Sequence, residues 1–292
     1  MRDFDLGGAG IPLHFLHANG YPPDCYRPLF ELLKTEYRVF GMLLRPLWEG
    51  AKPEDIKNWH PLSDDLLRFL ASASTAVGTP PLPFGHDVSA SQVIGVGHSI
   101  GAIVTLRAAL KDPGKFRALI LIDPVLFVPR FLLKRRIAGL LGLVDKIPLI
   151  AGALRRRRTF KDLEIMLRGY RNREIFRYMD NESLLAYIDG ITKPSTNGEY
   201  ELVYSPEWEA QIYRTGLHDF DIWRDLPKLD VPTLFIRGAE TDTFLEDAAR
   251  LVKQKQPNVR VEALEKSTHI LPLERPREVF EIMQSFIKEL KT

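Results

Sequence analysis

The segment Gly97-His98-Ser99-Ile100-Gly101 separates a short apolar run from a longer segment rich in Ala, Leu and Val. Residues 92–97 have the length and composition of a buried strand, and residues 100–110 those of a helix. A serine in a sharp strand-to-helix turn keeps its hydroxyl exposed, and the flanking glycines admit backbone that side chains would block. Gly-x-Ser-x-Gly in this context therefore predicts a nucleophilic Ser99. The alternative is a Gly-rich turn in which this serine only caps the helix.

On both sides of this turn, apolar runs of strand length alternate with segments of helical spacing. The predicted strands are 11–17, 38–44, 92–97, 116–122, 232–237 and 259–264, and the predicted helices include 62–71, 100–110, 245–254 and 276–290. Such alternation indicates an α/β fold, with a mostly parallel sheet flanked by helices. Residues 124–217 lack it and consist mainly of predicted helices and turns. We therefore expect a core of residues 1–123 and 218–292 and an inserted helical cap, 124–217.

The composition is that of a globular protein. Of 292 residues, 45% are hydrophobic and 27% are charged, which excludes a disordered or fibrous chain. Cys25 is the single cysteine, so no intrachain disulfide can form and a thiolate zinc site is not expected. The N-terminus resembles no signal peptide, and no apolar run reaches the ~18 residues of a membrane span. We expect a cytoplasmic protein.

Positive charge is concentrated in the predicted cap. Residues 130–177 contain fourteen Lys or Arg against four Asp or Glu, a local net charge of +10 in a chain whose total is +2. One interpretation is a basic, partly apolar surface that makes weak contact with an anionic membrane or an acidic substrate. The other is a solvated outer face over an apolar pocket. Because the charge lies in one insert without interleaved aromatic residues, we expect no nucleic-acid partner.

A serine hydroxyl needs a base, and the base needs an orienting acid. Asp242 lies in the loop after the fifth predicted strand and His269 in the loop after the sixth. The carboxyl ends of parallel strands converge on one crevice, and the order Ser, acid, His is the one expected for this motif. Asp123, directly after the fourth strand, is the alternative acid. We prefer Asp242, because Asp123-Pro124 also makes sense as the turn into the cap.

Together these motifs resemble those of the α/β-hydrolase superfamily, over almost the whole chain outside the cap. The resemblance depends on the Gly-His-Ser-Ile-Gly turn, the Asp242 loop, and His269 followed by Leu273-Glu274-Arg275-Pro276. Some hydrolases of this superfamily carry their acid at the place of Asp123. The resemblance implies a serine hydrolase with a helical cap.

Acyl transfer also requires donors for the developing oxyanion. The motif assigns one to the backbone N–H of Ile100 and the other to the loop after the first strand. That loop resembles the family's His-Gly-x-Pro loop but has Ala18 where glycine is usual. We choose Asn19 as the second donor, with Gly20 or Tyr21 as alternatives. Tyr21 and Trp48 are candidate walls of the acyl pocket, and packing alone is the alternative for both.

The sequence thus predicts a serine hydrolase of small-molecule carboxylic esters with the triad Ser99, Asp242 and His269. No pair of histidines has the spacing of helical metal ligands, so we expect neither a metal nor an organic cofactor. Two alternatives remain open. The same triad could act on another bond (thioester, lactone, amide or carbon–carbon) or transfer the acyl group to another acceptor. A non-catalytic protein could use the pocket to bind a ligand.

Overall fold

A seven-stranded sheet forms the centre of the computed structural model, which describes residues 2–76, 92–144 and 147–290. In chain order the strands are β1 (Asp3–Gly7), β2 (Ile11–Leu16), β3 (Tyr37–Met42), β4 (Val93–His98), β5 (Phe116–Ile122), β6 (Thr159–Phe160), β7 (Thr192–Pro194), β8 (Tyr200–Leu202), β9 (Thr233–Gly238) and β10 (Arg260–Leu264). The central sheet has the order β1-β3-β2-β4-β5-β9-β10. Only β1 pairs antiparallel within it, so the mostly parallel α/β sheet that the sequence predicts is confirmed.

Helices cover the sheet and fill the insertion. They are α1 (Arg27–Leu33), α2 (His60–Ala76), α3 (Ile100–Lys111), α4 (Pro129–Leu140), α5 (Pro148–Leu154), α6 (Leu163–Arg171), α7 (Asn181–Ile191), α8 (Pro206–Thr215), α9 (Phe220–Asp225), α10 (Glu246–Lys255), α11 (Leu271–Glu274) and α12 (Pro276–Glu289). No helix within the described ranges is long and apolar enough to cross a membrane.

The strands divide their side chains between two apolar clusters, one on each face of the sheet. In β5, Leu119 and Leu121 belong to the cluster shared with α2 and α3, whereas Ile120 and Ile122 belong to the cluster shared with α1 and α12. Every residue of β4 is buried. Strands buried on both faces have continuous apolar sequences, which is why their limits could be read to within two residues.

The insertion between β5 and β9 contains a second, three-stranded sheet, β6-β8-β7, as well as helices α4 to α9. The sequence predicted mainly helices and turns for residues 124–217 and did not indicate β6 to β8. These strands are two or three residues long, so no alternation of apolar and polar residues is visible in them.

A buried arginine fixes the end of the insertion to the core. Arg107 is one of ten consecutive buried residues of α3. Its guanidinium pairs with Asp219 at 2.6 Å and with Asp221 at 2.8 Å. Burial raises the pKa of Asp219 to about 6, although the positive charge of Arg107 acts in the opposite direction. This pairing fastens the start of α9 to the helix that follows Ser99.

Two buried histidines join β2 to the end of β3. Nε2 of His14 accepts a hydrogen bond from the N–H of Met42, and Nε2 of His17 accepts one from the N–H of Leu44, each at 3.1 Å. Nδ1 of His17 lies 2.9 Å from the carbonyl of Ala18 and therefore donates to it. Burial lowers the pKa of His14 to about 3 and that of His17 to about 4, so both rings are neutral in the folded protein.

We expect the free energy of unfolding to decrease as the pH falls from 6.5 towards 4. In the unfolded chain these imidazoles regain pKa values near 6.5 and bind protons that the folded protein excludes. Each ring should contribute a slope of about 1.4 kcal/mol per pH unit, measurable by urea unfolding at several pH values. His14→Gln keeps an acceptor for the N–H of Met42 and removes one titrating ring. The slope should therefore fall by the contribution of that ring, about 1.4 kcal/mol per pH unit. An unchanged slope in this variant would contradict the assignment.

Candidate active site

Ser99 occupies a strained turn between β4 and α3. Its φ is +59°, in the region that favours glycine, and its N–H donates to the carbonyl of Ile122 at 3.0 Å. A Cβ on Gly97 would overlap the backbone of Gly101, and a Cβ on Gly101 would overlap the carbonyl of Leu16. The close backbone approach that the motif predicts is therefore present, and it holds α3 against the end of β2.

Strand register places the residues that follow β4 and β5 side by side. His98 pairs with Ile122 across these strands, and Ile122 pairs with Ile236 of β9. The N–H of Asp123 donates to the carbonyl of Ile236 at 2.7 Å. The Asp123 side chain is fully buried, and its Oδ2 accepts from the N–H of Gly238 at 2.9 Å. Ser99 and Asp123 thus emerge next to each other at the carboxyl edge of the sheet.

The imidazole of His269 lies between these two residues. Its Nε2 is 2.9 Å from Oγ of Ser99, and its Nδ1 is 3.3 Å from Oδ1 of Asp123. The structure therefore brings together Ser99 and His269, which are 170 positions apart in the chain. The acid beside His269 is Asp123, the alternative that the sequence left open.

The structure does not place Asp242, the acid that the sequence interpretation prefers, beside the imidazole. Its side chain is exposed, whereas the neighbouring hydroxyls of Thr241 and Thr243 both donate to Oδ1 of Asp123, at 2.7 and 2.6 Å. The loop after β9 thus directs the residues on either side of Asp242 towards the buried carboxylate. It supplies hydroxyl groups to the site in place of a carboxylate.

Thr243 was not predicted, and it makes the shortest contact of the His269 Nδ1 atom, at 2.8 Å. Its single hydroxyl proton points to Asp123, since a carboxylate oxygen can only accept. The Thr243 oxygen must then accept from Nδ1–H, which assigns the ring proton to Nδ1. Nε2 keeps its lone pair towards Ser99, the tautomer required of a general base. The only sequence signal for Thr243 is its place in a loop at the carboxyl edge.

A second hydrogen-bond chain fixes the backbone of His269. The N–H of Ala18 donates to the phenol oxygen of Tyr26 at 3.1 Å, and that hydroxyl lies 2.8 Å from Nδ1 of His98. Nε2 of His98 lies 2.8 Å from the carbonyl of His269 and must donate to it, so Nδ1 accepts from Tyr26. Burial lowers the pKa of His98 well below its usual value. His98 thus positions the backbone of His269.

Glu274, part of the Leu-Glu-Arg-Pro motif, anchors the loop that carries His269. Its carboxyl accepts from the N–H and the hydroxyl of Thr268, at 2.7 and 2.8 Å. Burial raises the pKa of Glu274, against the effect of these two hydrogen bonds. The loop backbone is therefore held on both sides of the imidazole.

The two residues that the sequence predicts as oxyanion donors, Ile100 and Asn19, differ in their hydrogen-bond surroundings. Ile100 is the first residue of α3, where backbone N–H groups have no partner inside the helix. The side chain of Asn19 is turned to the insertion, because its Nδ2 donates to the carbonyl of Glu209 at 3.1 Å and its Oδ1 accepts from Tyr204 at 2.8 Å. The backbone N–H is the group of Asn19 that is left for an oxyanion.

A cavity of about 1030 Å³ lies beside this loop, among the helices of the insertion. Its walls include Tyr21, Phe160, Met166, Tyr170, Tyr187 and Tyr213. Tyr21 also lies against His98, with ring centroids 6.4 Å apart, so the cavity adjoins the catalytic candidates without being lined by them. Trp48 is not among the lining residues. Its indole donates to the carbonyl of Leu43 and its ring packs on the core, the alternative that the sequence left open.

The two charged residues that the cavity wall holds away from solvent, Arg156 and Glu209, are paired with each other, whereas its other charged residues are exposed. Arg156 contacts Glu209 at 2.8 Å and donates to the hydroxyl of Tyr187 at 3.2 Å, and both ionic side chains are largely buried. Burial raises the pKa of Tyr21 well above its usual value, so its hydroxyl is neutral. The inner wall of the cavity therefore suits an uncharged, largely apolar group.

Comparisons with known proteins show which family and which folds this chain resembles. A family model described as alpha/beta hydrolase family matches residues 15–282. Ethanol acetyltransferase 1 of Hanseniaspora uvarum is 25% identical over 95% of this chain and 79% of its own length. Among solved structures, an E-2-(acetamidomethylene)succinate hydrolase has a TM-score of 0.76 at 19% identity, covering 98% of this chain and 94% of its own. An esterase from Mycobacterium tuberculosis has a TM-score of 0.68 at 20% identity, covering 98% and 87%.

Replacement of each candidate acid by asparagine should lower kcat at Asp123 and leave it nearly unchanged at Asp242. Asp123→Asn removes the charge beside His269 and should lower kcat by about 10³-fold or more, as expected for the acid of a triad. Asp242→Asn changes an exposed side chain and should leave kcat within about twofold. Ester hydrolysis rates measure both, and urea unfolding checks that both variants fold. An inactive Asp242→Asn beside an active Asp123→Asn would reverse the assignment.

Loss of the Thr243 hydroxyl should reduce turnover without weakening substrate binding. Thr243→Val leaves Nδ1–H with only the longer contact to Asp123, and we expect kcat to fall by about tenfold to hundredfold at an unchanged KM. Thr243→Ser keeps the hydroxyl and is the matched control, expected to retain most activity. If the valine variant kept wild-type kcat, Thr243 would have no part in positioning the ring.

Proposed function

We propose that this chain, which belongs to the alpha/beta hydrolase family, is a serine hydrolase that cleaves carboxylic esters through an acyl-enzyme intermediate. The observation that supports the proposal most directly is the 2.9 Å separation between Ser99 Oγ and an imidazole nitrogen whose other nitrogen faces Asp123 and Thr243. We propose Asp123, not Asp242, as the acid of the triad.

In the first half-reaction, Ser99 Oγ bonds to the carbonyl carbon while its proton moves to Nε2 of His269. The imidazolium that forms is stabilised by Asp123, to which Nδ1–H is linked directly and through Thr243. Negative charge develops on the former carbonyl oxygen, where the N–H groups of Ile100 and Asn19 would donate. Collapse of this intermediate transfers the proton from Nε2 to the leaving alcohol and leaves the acyl group on Ser99.

In the second half-reaction, water attacks the acyl-enzyme and His269 takes its proton. The acid is then released and the proton returns to Ser99 Oγ. An alcohol in place of water would give a new ester by the same steps, so the triad by itself permits both hydrolysis and transfer. The similarity to an ethanol acetyltransferase makes acyl transfer to an alcohol the second candidate. The aromatic side chains next to Tyr21 can contact either an acyl group or an acceptor alcohol.

A fluorophosphonate probe tests the activated serine. We expect covalent labelling of the wild-type protein and none of Ser99→Ala, because the probe reacts only with a serine whose proton a base can take. Ser285→Ala, at an exposed serine far along the chain, is the matched control and should be labelled normally. Equal labelling of Ser99→Ala and wild type, or no labelling of wild type, would leave a non-catalytic binding protein as the better account.

The products then distinguish the two reactions. An activated acetyl ester is supplied with increasing concentrations of ethanol, and acetate and ethyl acetate are quantified. Acetate as the main product at every ethanol concentration supports the esterase. Ethyl acetate that replaces acetate at low ethanol concentrations contradicts hydrolysis as the main activity and supports the transferase, still through Ser99.

A further inference from the structure

Helix α4 carries an apolar stripe that faces away from the protein. Leu133, Ile137, Leu140 and Leu141 are 52, 48, 83 and 67% exposed, respectively. Their spacing of four, three and one residues puts them on one side of the helix and of the turn that ends it. We call these four side chains the α4 stripe.

Contacts with the core fix the orientation of α4. Leu132 is fully buried in the core, and Arg130 pairs with Asp247 of α10 at 2.7 Å. The buried side of the helix is therefore already occupied by the core, and the α4 stripe points outwards.

Exposed apolar side chains are concentrated in the segment of the sequence that contains this stripe. The large hydrophobic residues that are exposed in the described ranges number thirteen, and eight of them lie between positions 131 and 154. Scattered single examples are normal on a protein surface, but a contiguous group indicates a surface that contacts an apolar partner.

Cations surround these apolar side chains. Lys134 and Arg136 are exposed on the two sides of the α4 stripe. Residues 124–161 contain ten Lys or Arg and a single acidic residue, Asp145. A surface that combines inserted leucines with flanking cations matches a bilayer with anionic headgroups, since the leucines enter the acyl boundary and the cations meet the phosphates.

We infer that the cap docks on an anionic membrane surface through the α4 stripe and its flanking cations. A second copy of the chain is a poor occupant, because a two-fold contact would set this basic surface against itself. The helix lies on the bilayer: α4 has 12 residues, and no helix in the described ranges meets the requirements for a span.

Vesicle sedimentation tests the inference. Phosphatidylcholine vesicles with phosphatidylserine should sediment the wild-type protein at low salt, and added salt should release it. Vesicles of phosphatidylcholine alone should sediment much less. If the anionic vesicles do not bind the wild-type protein, or if salt and phosphatidylserine have no effect, the inference is overturned.

Paired variants locate the surface. Lys134→Gln with Arg136→Gln should weaken binding by about 30-fold, at roughly 1 kcal/mol per cation near an anionic surface. Leu140→Ser with Leu141→Ser should weaken it by at least about tenfold, through lost insertion of apolar surface. The controls Lys253→Gln with Lys288→Gln, and Leu185→Ser with Leu245→Ser, remove the same number of positive charges and of leucines at other exposed positions and should bind normally.

Two outcomes of the variants would overturn the inference. Binding that survives both pairs of changes on α4 would place the contact elsewhere. A concentration-dependent dimer of the wild-type protein that Leu140→Ser with Leu141→Ser abolishes, without vesicle binding, would identify the stripe as an interface between copies. Hydrolysis of a soluble ester is measured in parallel, so loss of vesicle binding is distinguished from loss of fold or of the proposed activity.

Discussion

The position of the His269 imidazole depends on the register of three parallel strands, β4, β5 and β9. Their pairing puts Ser99 next to Asp123 and brings the backbone of Gly238 to the buried carboxylate. A shift of one residue would turn every side chain of the shifted strand to the other face and would exchange side chains between the two apolar clusters, which would disturb the packing of both. The apolar core that stabilises the sheet thus also fixes the spacing of the groups that would carry out the chemistry.

The surroundings of the buried Asp123 carboxylate come from two segments, the end of β5 and the loop after β9. Asp123 comes from the end of β5, whereas the loop after β9 contributes Thr241 and Thr243, whose hydroxyls satisfy the same oxygen that faces His269. A second carboxylate turned inwards at this place would set two like charges against each other in a region from which water is excluded. With Asp242 turned to solvent, one negative charge faces the ring, and a hydroxyl bridges the remaining distance.

Most of the fold was predictable, because fully buried strands and a Gly-x-Ser-x-Gly turn leave clear patterns in the sequence. The choice between Asp242 and Asp123 was not, because both follow strands that end at the same edge and spacing does not report the direction of a side chain. Asp123 lies at the site with a φ of +38°, and nothing in the surrounding sequence predicts this backbone conformation. The contacts of Arg107 with Asp219 and of Asn19 with Glu209 could not be predicted for another reason, because each joins residues more than a hundred positions apart.

The contacts of Asn19 connect the insertion to the reaction centre. Its side chain holds the loop after β2 to α8, and the next link, from Ala18 through Tyr26 and His98, ends on the carbonyl of His269. A movement of α8 would therefore be transmitted both to the proposed oxyanion donor and to the base. The fold and the triad are shared by enzymes with many reactions, so they do not select the acceptor of the acyl group. In the proposed mechanism that selection would fall to the insertion, which shapes the cavity beside Tyr21 and would govern whether water or an alcohol meets the acyl-enzyme.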